Sequence, residues 1–159
     1  MVPNLTGNIT LMYRKMKNIF LTDDDIDDCS MFSDALNEVY TGATLTIANN
    51  GLKLMEALEQ NMSPSPEIIF LDLNMPFKNG FECLEEIRKS PRYQDIPIII
   101  FSTSSNNDIV EKTYLHGANY YICKPASYSI LKKIILYVLS LDIKQLQQPV
   151  RENFVINVA

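Results

Sequence analysis

Ile68-Ile69-Phe70-Leu71-Asp72-Leu73-Asn74-Met75-Pro76 runs an unbroken apolar segment into a single acid, then into turn-forming residues. A run this apolar reads as a strand buried on both faces, the pattern of a parallel sheet rather than of a half-solvated hairpin. The acid then stands at the strand's C-terminal end, where open α/β sheets place their ligands. An Asp after a strand also serves as a plain turn former or helix cap. The choice between these readings rests on how the other strands end.

Working outward, four more short apolar strands alternate with helical patterns. Asn18–Thr22 leads into Asp23-Asp24-Asp25, and Ile26, Cys29, Phe32, Leu36 and Val39 then recur at helical spacing. Residues 43–48 alternate as a half-buried strand. Leu52, Met55 and Leu58 mark a helix, and Ser63-Pro64-Ser65-Pro66 a loop. Residues 67–71 form the opening strand. A helix over Gly80–Lys89 is stopped by Ser90-Pro91. Ile96–Phe101 is another buried strand, ending in Ser102-Thr103-Ser104-Ser105, and a helix over 108–116 follows, closed by Gly117. Ala118–Cys123 is the last strand, ending in Lys124-Pro125, and residues 127–141 the last helix. Alternating strands and helices predict an α/β fold with a doubly wound five-stranded parallel sheet and five helices. Right-handed crossovers bring all the strand C-termini to one edge.

Composition sets limits. The 159 residues suit one domain, and 47% hydrophobic with 21% charged residues is the balance of a soluble globular chain. A net charge of -5 argues against a nucleic-acid surface. Three cysteines without a CxxC, and one histidine, His116, make a zinc site a poor fit. The cysteines read as reduced packing residues of a cytoplasmic protein. No apolar run reaches the roughly 20 residues that span a bilayer. Residues 1–17 read as a flexible leader, 18–141 as the domain and 142–159 as a tail. The tail run Phe154-Val155-Ile156 has strand character, open to docking on its own domain, pairing with a partner, or disorder.

Taken together, the strand ends collect Asp23, Asp24, Asp25, Asp72, Asn74, Ser102, Thr103 and Lys124 on one edge. Carboxylates so gathered need a counter-charge. A hard divalent cation held by oxygens supplies one, and Mg²⁺ with carboxylates and water is the usual solution. Lys124 adds a second positive point. Acids, a metal, a lysine and a hydroxyl converging on one Asp make a phosphoryl site with that Asp as nucleophile.

In this order, Phe20-Leu21-Thr22-Asp23-Asp24-Asp25, Leu71-Asp72-Leu73-Asn74-Met75-Pro76 with Gly80, Pro97-Ile98-Ile99-Ile100-Phe101-Ser102-Thr103, and Tyr121-Ile122-Cys123-Lys124-Pro125 resemble the receiver domain of two-component response regulators. The resemblance covers about residues 18–140. It implies a flavodoxin-like receiver fold with strand order 2-1-3-4-5. It implies that Asp72 accepts a phosphoryl group from a histidine kinase phosphohistidine. It gives Mg²⁺ the ligands Asp24, Asp72 and the main-chain carbonyl of Asn74, with Asp23 acting through water. Lys124 pairs with Asp72, Ser102 moves toward the phosphate, and Tyr121 swings inward as the switch aromatic. Asn74 and Ser104 take positions that tune acyl-phosphate hydrolysis. Partners are then a sensor histidine kinase or phosphotransfer protein, with a possible homodimer through helix 4, strand 5 and helix 5, to which Tyr114 and Tyr128 are candidates to contribute. With no output domain legible, the chain reads as a stand-alone phosphoacceptor switch, not a turnover enzyme.

Plainer readings stand beside these. Asp23 and Asp24 suit a helix N-terminus, Ser102 a cap, Lys124 the surface and Tyr121 the core, since a one-residue slip would exchange it with Tyr120. Asp23, Asp25 and Asp27 mimic a calcium loop but lack its Gly and Glu. Thr22 stands where an apolar residue is commoner, a departure expected to be neutral. Rival functions are a haloacid-dehalogenase-like phosphatase using Asp23 and Asp25, and an interaction module that never accepts phosphate.

Overall fold

A computed structural model describes residues 16–60, 65–142 and 147–158. The expected leader up to residue 15, part of the loop at 61–64 and the first part of the tail at 143–146 lie outside the described residues. The strands are β1 (Lys17–Thr22), β2 (Ala43–Ala48), β3 (Ile68–Leu71), β4 (Ile98–Ser102) and β5 (Tyr120–Cys123). The helices are α1 (Ile26–Val39), α2 (Gly51–Glu59), α3 (Gly80–Lys89), α4 (Asn107–Leu115) and α5 (Tyr128–Ser140). All strand pairs are parallel, in the order β2-β1-β3-β4-β5. Lys17, read as leader, already belongs to β1 and pairs with Ala43.

The strand period of two sends alternate side chains to opposite faces, so each buried strand feeds two cores. On one face Ile19, Leu21, Phe70, Phe101 and Ile122 meet Phe32 and Leu36 of α1 and Leu131 and Ile135 of α5. Phe32 packs edge-on against Phe70 and Phe101, with ring centroids 4.9 and 5.7 Å away. On the other face Phe20, Ile69, Leu71, Ile100 and Tyr121 meet Leu54, Leu58, Leu84, Ile87 and Val110 of α2, α3 and α4. Each such side chain contributes about 1.5–3 kcal/mol by leaving water. The alternating strand β2 lies at the sheet margin, where only Ala48 is fully buried and Ile47 is exposed.

Each of these five α-helices starts on a residue whose side chain accepts a main-chain N–H: Asp25, Asn50, Asn79, Asn106 and Ser127. At α3 the cap is reciprocal, with Glu82 reaching back to the N–H of Asn79. Gly80 is there for space. A Cβ on it would fall on the main-chain oxygen of Asp72 and the Cα of Leu73, so only glycine lets α3 begin tight against the end of β3.

The opposite, N-terminal ends of β4 and β5 are tied by one side chain. Arg88 of α3 donates to the carbonyls of Gly117, Gln94 and Ile96 and to Oδ1 of Asn119, at 2.8–3.0 Å. That same Asn119 oxygen accepts the N–H of Ile98 at 2.8 Å.

The chain beyond α5 returns to the domain. A 3-10 turn over Arg151–Asn153 leads to Phe154, which is fully buried, and Val155 forms a parallel bridge with Tyr121 on the outer edge of β5. Of the three outcomes open for the tail, docking on its own domain is the one observed.

Candidate functional site

The acids, the lysine and the serine singled out from sequence stand together at the C-terminal edge of the sheet. Asp72 follows β3 directly, its N–H donating to the Thr22 carbonyl at 2.9 Å. Its residue exposure is 7%, and Oδ1 accepts the N–H of Leu73 at 2.8 Å. Asp23 follows β1, is 1% exposed, and has its N–H on the Ala48 carbonyl. Asp24 is exposed beside it. Carboxylate oxygens of Asp23, Asp24 and Asp72 all lie within 4.8 Å of one another. Three hard oxygen donors at that spacing fit a divalent cation of the Mg²⁺ or Mn²⁺ type.

Lys124, directly after β5, reaches across the sheet edge. Its Nζ lies 2.7 Å from Asp23 Oδ2, 2.8 Å from Asp28 Oδ2 and 3.4 Å from Asp72 Oδ2. Burial works to lower the pKa of Lys124, but hydrogen bonds to Asp23 and Asp28 outweigh it and hold the ammonium charged. For Asp72 burial dominates. It pushes the carboxyl up to about 6, aided by Asp23 and opposed by Lys124. The ionisation of Asp72 is therefore held near neutrality.

Ser102, at the end of β4, is fully buried, and its Oγ accepts the N–H of Ser104 at 3.3 Å. Its carbonyl accepts the N–H of Lys124 at 2.8 Å, which joins the two strand ends. Asn74 is exposed on the loop that follows Asp72, and the same loop places Phe77 at φ 66 with its ring in solvent. Tyr121 is fully buried and Tyr120 packs on the opposite face, so the register is the expected one. The Tyr121 hydroxyl donates to the Ser104 carbonyl at 2.7 Å, and burial raises its pKa. The ring thus stands inward, with its hydroxyl on the loop after β4.

Several expectations shift. Asp25 caps α1, its carboxylate accepting the N–H of Asp28, so it is not presented as the second acid of a phosphatase. Cys29 and Cys83 are buried, and burial pushes both thiols up to about 11. Cys123 is exposed, against the expectation of packing. Tyr128 donates to Glu38 of α1 and leaves the helix 4 side, while Tyr114 is covered by the tail. His116 rests on the Lys112 carbonyl, away from the acids. Asp28 is the site residue that sequence reasoning missed. With Asp25 as cap it falls one turn into α1, where helical side chains lean back toward the N-terminus and hence toward the sheet edge.

A model of the response regulator receiver domain family matches residues 19–136. The response regulator Rcp1 of Synechocystis sp. is 34% identical over 123 residues, spanning 75% of this chain and 84% of Rcp1. The chemotaxis protein CheY1 of Helicobacter pylori is 32% identical over 92 residues, 58% of this chain and 73% of CheY1. Among solved structures, the Mn(2+)-bound form of Rcp1 superposes with TM-score 0.72 at 32% identity, covering 84% of this chain and 99% of that one. The phosphorylated cyanobacterial phytochrome response regulator RcpA superposes with TM-score 0.71 at 33% identity, covering 77% and 90%. Both have the fold expected here.

Proposed function

The chain belongs to the response regulator receiver domain family of two-component signalling, and from that premise we propose that Asp72 is its phosphoacceptor, taking a phosphoryl group from the phosphohistidine of a sensor kinase or phosphotransfer protein. The observation that carries this reading is the seat of Asp72: a nearly buried carboxylate with an ammonium 3.4 Å away and two further acids within 4.8 Å.

Leu73 N–H fixes Oδ1 of Asp72, leaving Oδ2, on the side of Lys124, to attack phosphorus. The N–P bond of the phosphohistidine breaks as the O–P bond to Asp72 forms, and the departing imidazole keeps the electron pair and takes up a proton. Asp23, Asp24, Asp72 and the carbonyl of Asn74 would hold Mg²⁺, whose role is to neutralise charge on the transferred group. Lys124 pairs with the phosphoryl oxygens on the other side, and Ser102 donates its hydroxyl to one of them. Water later cleaves the acyl phosphate and restores Asp72, with Asn74 and Ser104 at the lip setting the rate. The output is a change in affinity for a protein partner through helix 4, strand 5 and helix 5, a face that also offers a dimer contact, in a cytoplasmic signalling chain. The exposed Ile26 and Phe77, on the segments that carry the acids, give a phosphodonor protein apolar footholds beside the site.

Acetyl phosphate and Mg²⁺ are added and the intact mass is followed. A gain of about 80 Da, one phosphoryl group for one proton, is expected in the wild type and is lost in Asp72→Asn. Catalytic turnover of a phosphomonoester that survives Asp72→Asn but not Asp23→Asn would overturn the assignment in favour of a phosphatase.

A further inference from the structure

The tail is attached at the one strand that carries Tyr121. The N–H of Tyr121 donates to the Phe154 carbonyl at 3.0 Å, and the N–H of Ile156 donates to the Tyr121 carbonyl at 2.9 Å. Both main-chain groups of Tyr121 on its outer side are thus taken by the tail. The ring of Phe154 is fully buried, 6.3 Å from the Tyr121 ring and 5.1 Å from that of Tyr114. Further contacts fix the approach. Gln148 donates to the carbonyls of Tyr114 and Ala118, the Tyr114 hydroxyl donates to the Pro149 carbonyl, and Arg151 pairs with Glu111 of α4 at 2.6 Å. These are the features of strand addition to an open sheet edge: ladder hydrogen bonds supply affinity and an aromatic pocket supplies register.

We propose that the outer edge of β5 is a strand-accepting surface whose resident occupant is residues 147–156 of the same chain, and that this docking holds Tyr121 inward and so favours the phosphorylated form of Asp72. The proposal rests on Asp72 being the phosphoacceptor. The connection is short. Tyr121 carries the tail on its main chain and the Ser104 carbonyl on its hydroxyl, and Ser104 N–H sits on the Ser102 hydroxyl. A ring held inward by the tail leaves the Ser102–Ser104 loop in one arrangement. Linkage makes the effect reciprocal: if tail docking favours the phosphoryl-bearing site, a phosphoryl group at the site favours tail docking. An undocked tail leaves a polar strand edge and an aromatic pocket, which a partner's extended segment bearing an aromatic side chain would fit.

The test uses the full chain with Mg²⁺ and beryllofluoride as the phosphoryl analogue. Amide exchange at Ile156 reads docking, and titration of the analogue reads the site. Beryllofluoride is expected to slow exchange at Ile156 about fivefold, and Phe154→Ala to weaken beryllofluoride binding by the same factor. Gln148→Ala, which removes an exposed side chain's bonds without opening the core, moves both readings in the same direction by less. Variants that speed exchange at Ile156 yet bind the analogue as the wild type does, or more tightly, overturn the coupling. Exchange that slows with rising protein concentration overturns the intramolecular occupant in favour of a second copy. A wild-type protein that does not bind beryllofluoride sinks the phosphoacceptor reading and the coupling with it. That failure is recognisable because it appears before any tail variant is made.

Discussion

Lys124 lies nearer to Asp28 than to Asp72, at 2.8 Å against 3.4 Å. The ammonium has three protons and three acids to serve, and two of its shorter bonds go to residues of the β1–α1 segment. Asp28 therefore competes with Asp72 for its counter-ion, and adds a negative charge where the proposed phosphoryl group would arrive. Asp28→Asn should speed labelling by acetyl phosphate about threefold, a modest effect because the Asp28 side chain is partly in water. Time-resolved intact mass measures it, and slower labelling would mean that Asp28 instead aims the lysine.

Removing the lysine strands the acids. Lys124→Met leaves Asp23 and Asp72 buried without their cation, which should cost on the order of 3 kcal/mol in a chelator at pH 7. Mg²⁺ should restore more stability to this variant than to the wild type, since the ion then neutralises the cluster alone. Urea unfolding with and without Mg²⁺ gives both numbers, and equal gains from Mg²⁺ would contradict a shared site.

The carboxyl of Asp72 stands at about 6 against an ordinary 3.8. Because the folded-state value is raised, the fold favours the neutral acid. Its contribution to stability is full below about pH 4 and is lost as the pH rises through 6. In metal-free protein, Asp72→Asn should be the more stable form at pH 7, by on the order of 2 kcal/mol, with the gap closing below pH 4. Thermal melts of both proteins across pH 4–8 in chelator check the sign.

Thr22 is fully buried at the end of β1, and its hydroxyl has no hydrogen-bond partner among the described residues. An unmet buried donor costs about 1–3 kcal/mol. Thr22→Val keeps the shape and removes the polar atom, so it should raise stability by about 1 kcal/mol, read as a higher urea midpoint at unchanged slope. A raised midpoint would make Thr22, expected from sequence to be neutral, a mild defect in the folded chain.

The fold was legible because β3 and β4 are unbroken apolar runs, a pattern only a sheet covered on both faces tolerates. The site was legible because four of the five strands end in acids, a hydroxyl or a lysine, and parallel strands must end on one side. Asp72, Ser102 and Lys124 could be placed by that rule alone. Asp28 could not: its partner is 96 positions away, and its reach depends on Asp25 taking the cap. The alternation of β2 fits a half-buried strand in any position, so its marginal place came from the resemblance, whose order 2-1-3-4-5 is the one observed. Tyr114 and Tyr128 are candidates from sequence for one partner face, yet a tail carbonyl and Glu38 claim their hydroxyls separately. Such pairings depend on where distant segments cross, which local patterns do not encode.

The Arg88 clamp gives the molecule a mechanical asymmetry. One guanidinium fastens the starts of β4 and β5 to α3, through the carbonyls of Gln94, Ile96 and Gly117 and the amide of Asn119. At the finishing ends of the same strands stand Ser102, the last residue of β4, and Lys124, directly after β5. With one end riveted, a pull at the other is expected to turn the strands about a fulcrum instead of sliding them. A small displacement of the loops beside Asp72 would then reach the outer flank as a tilt.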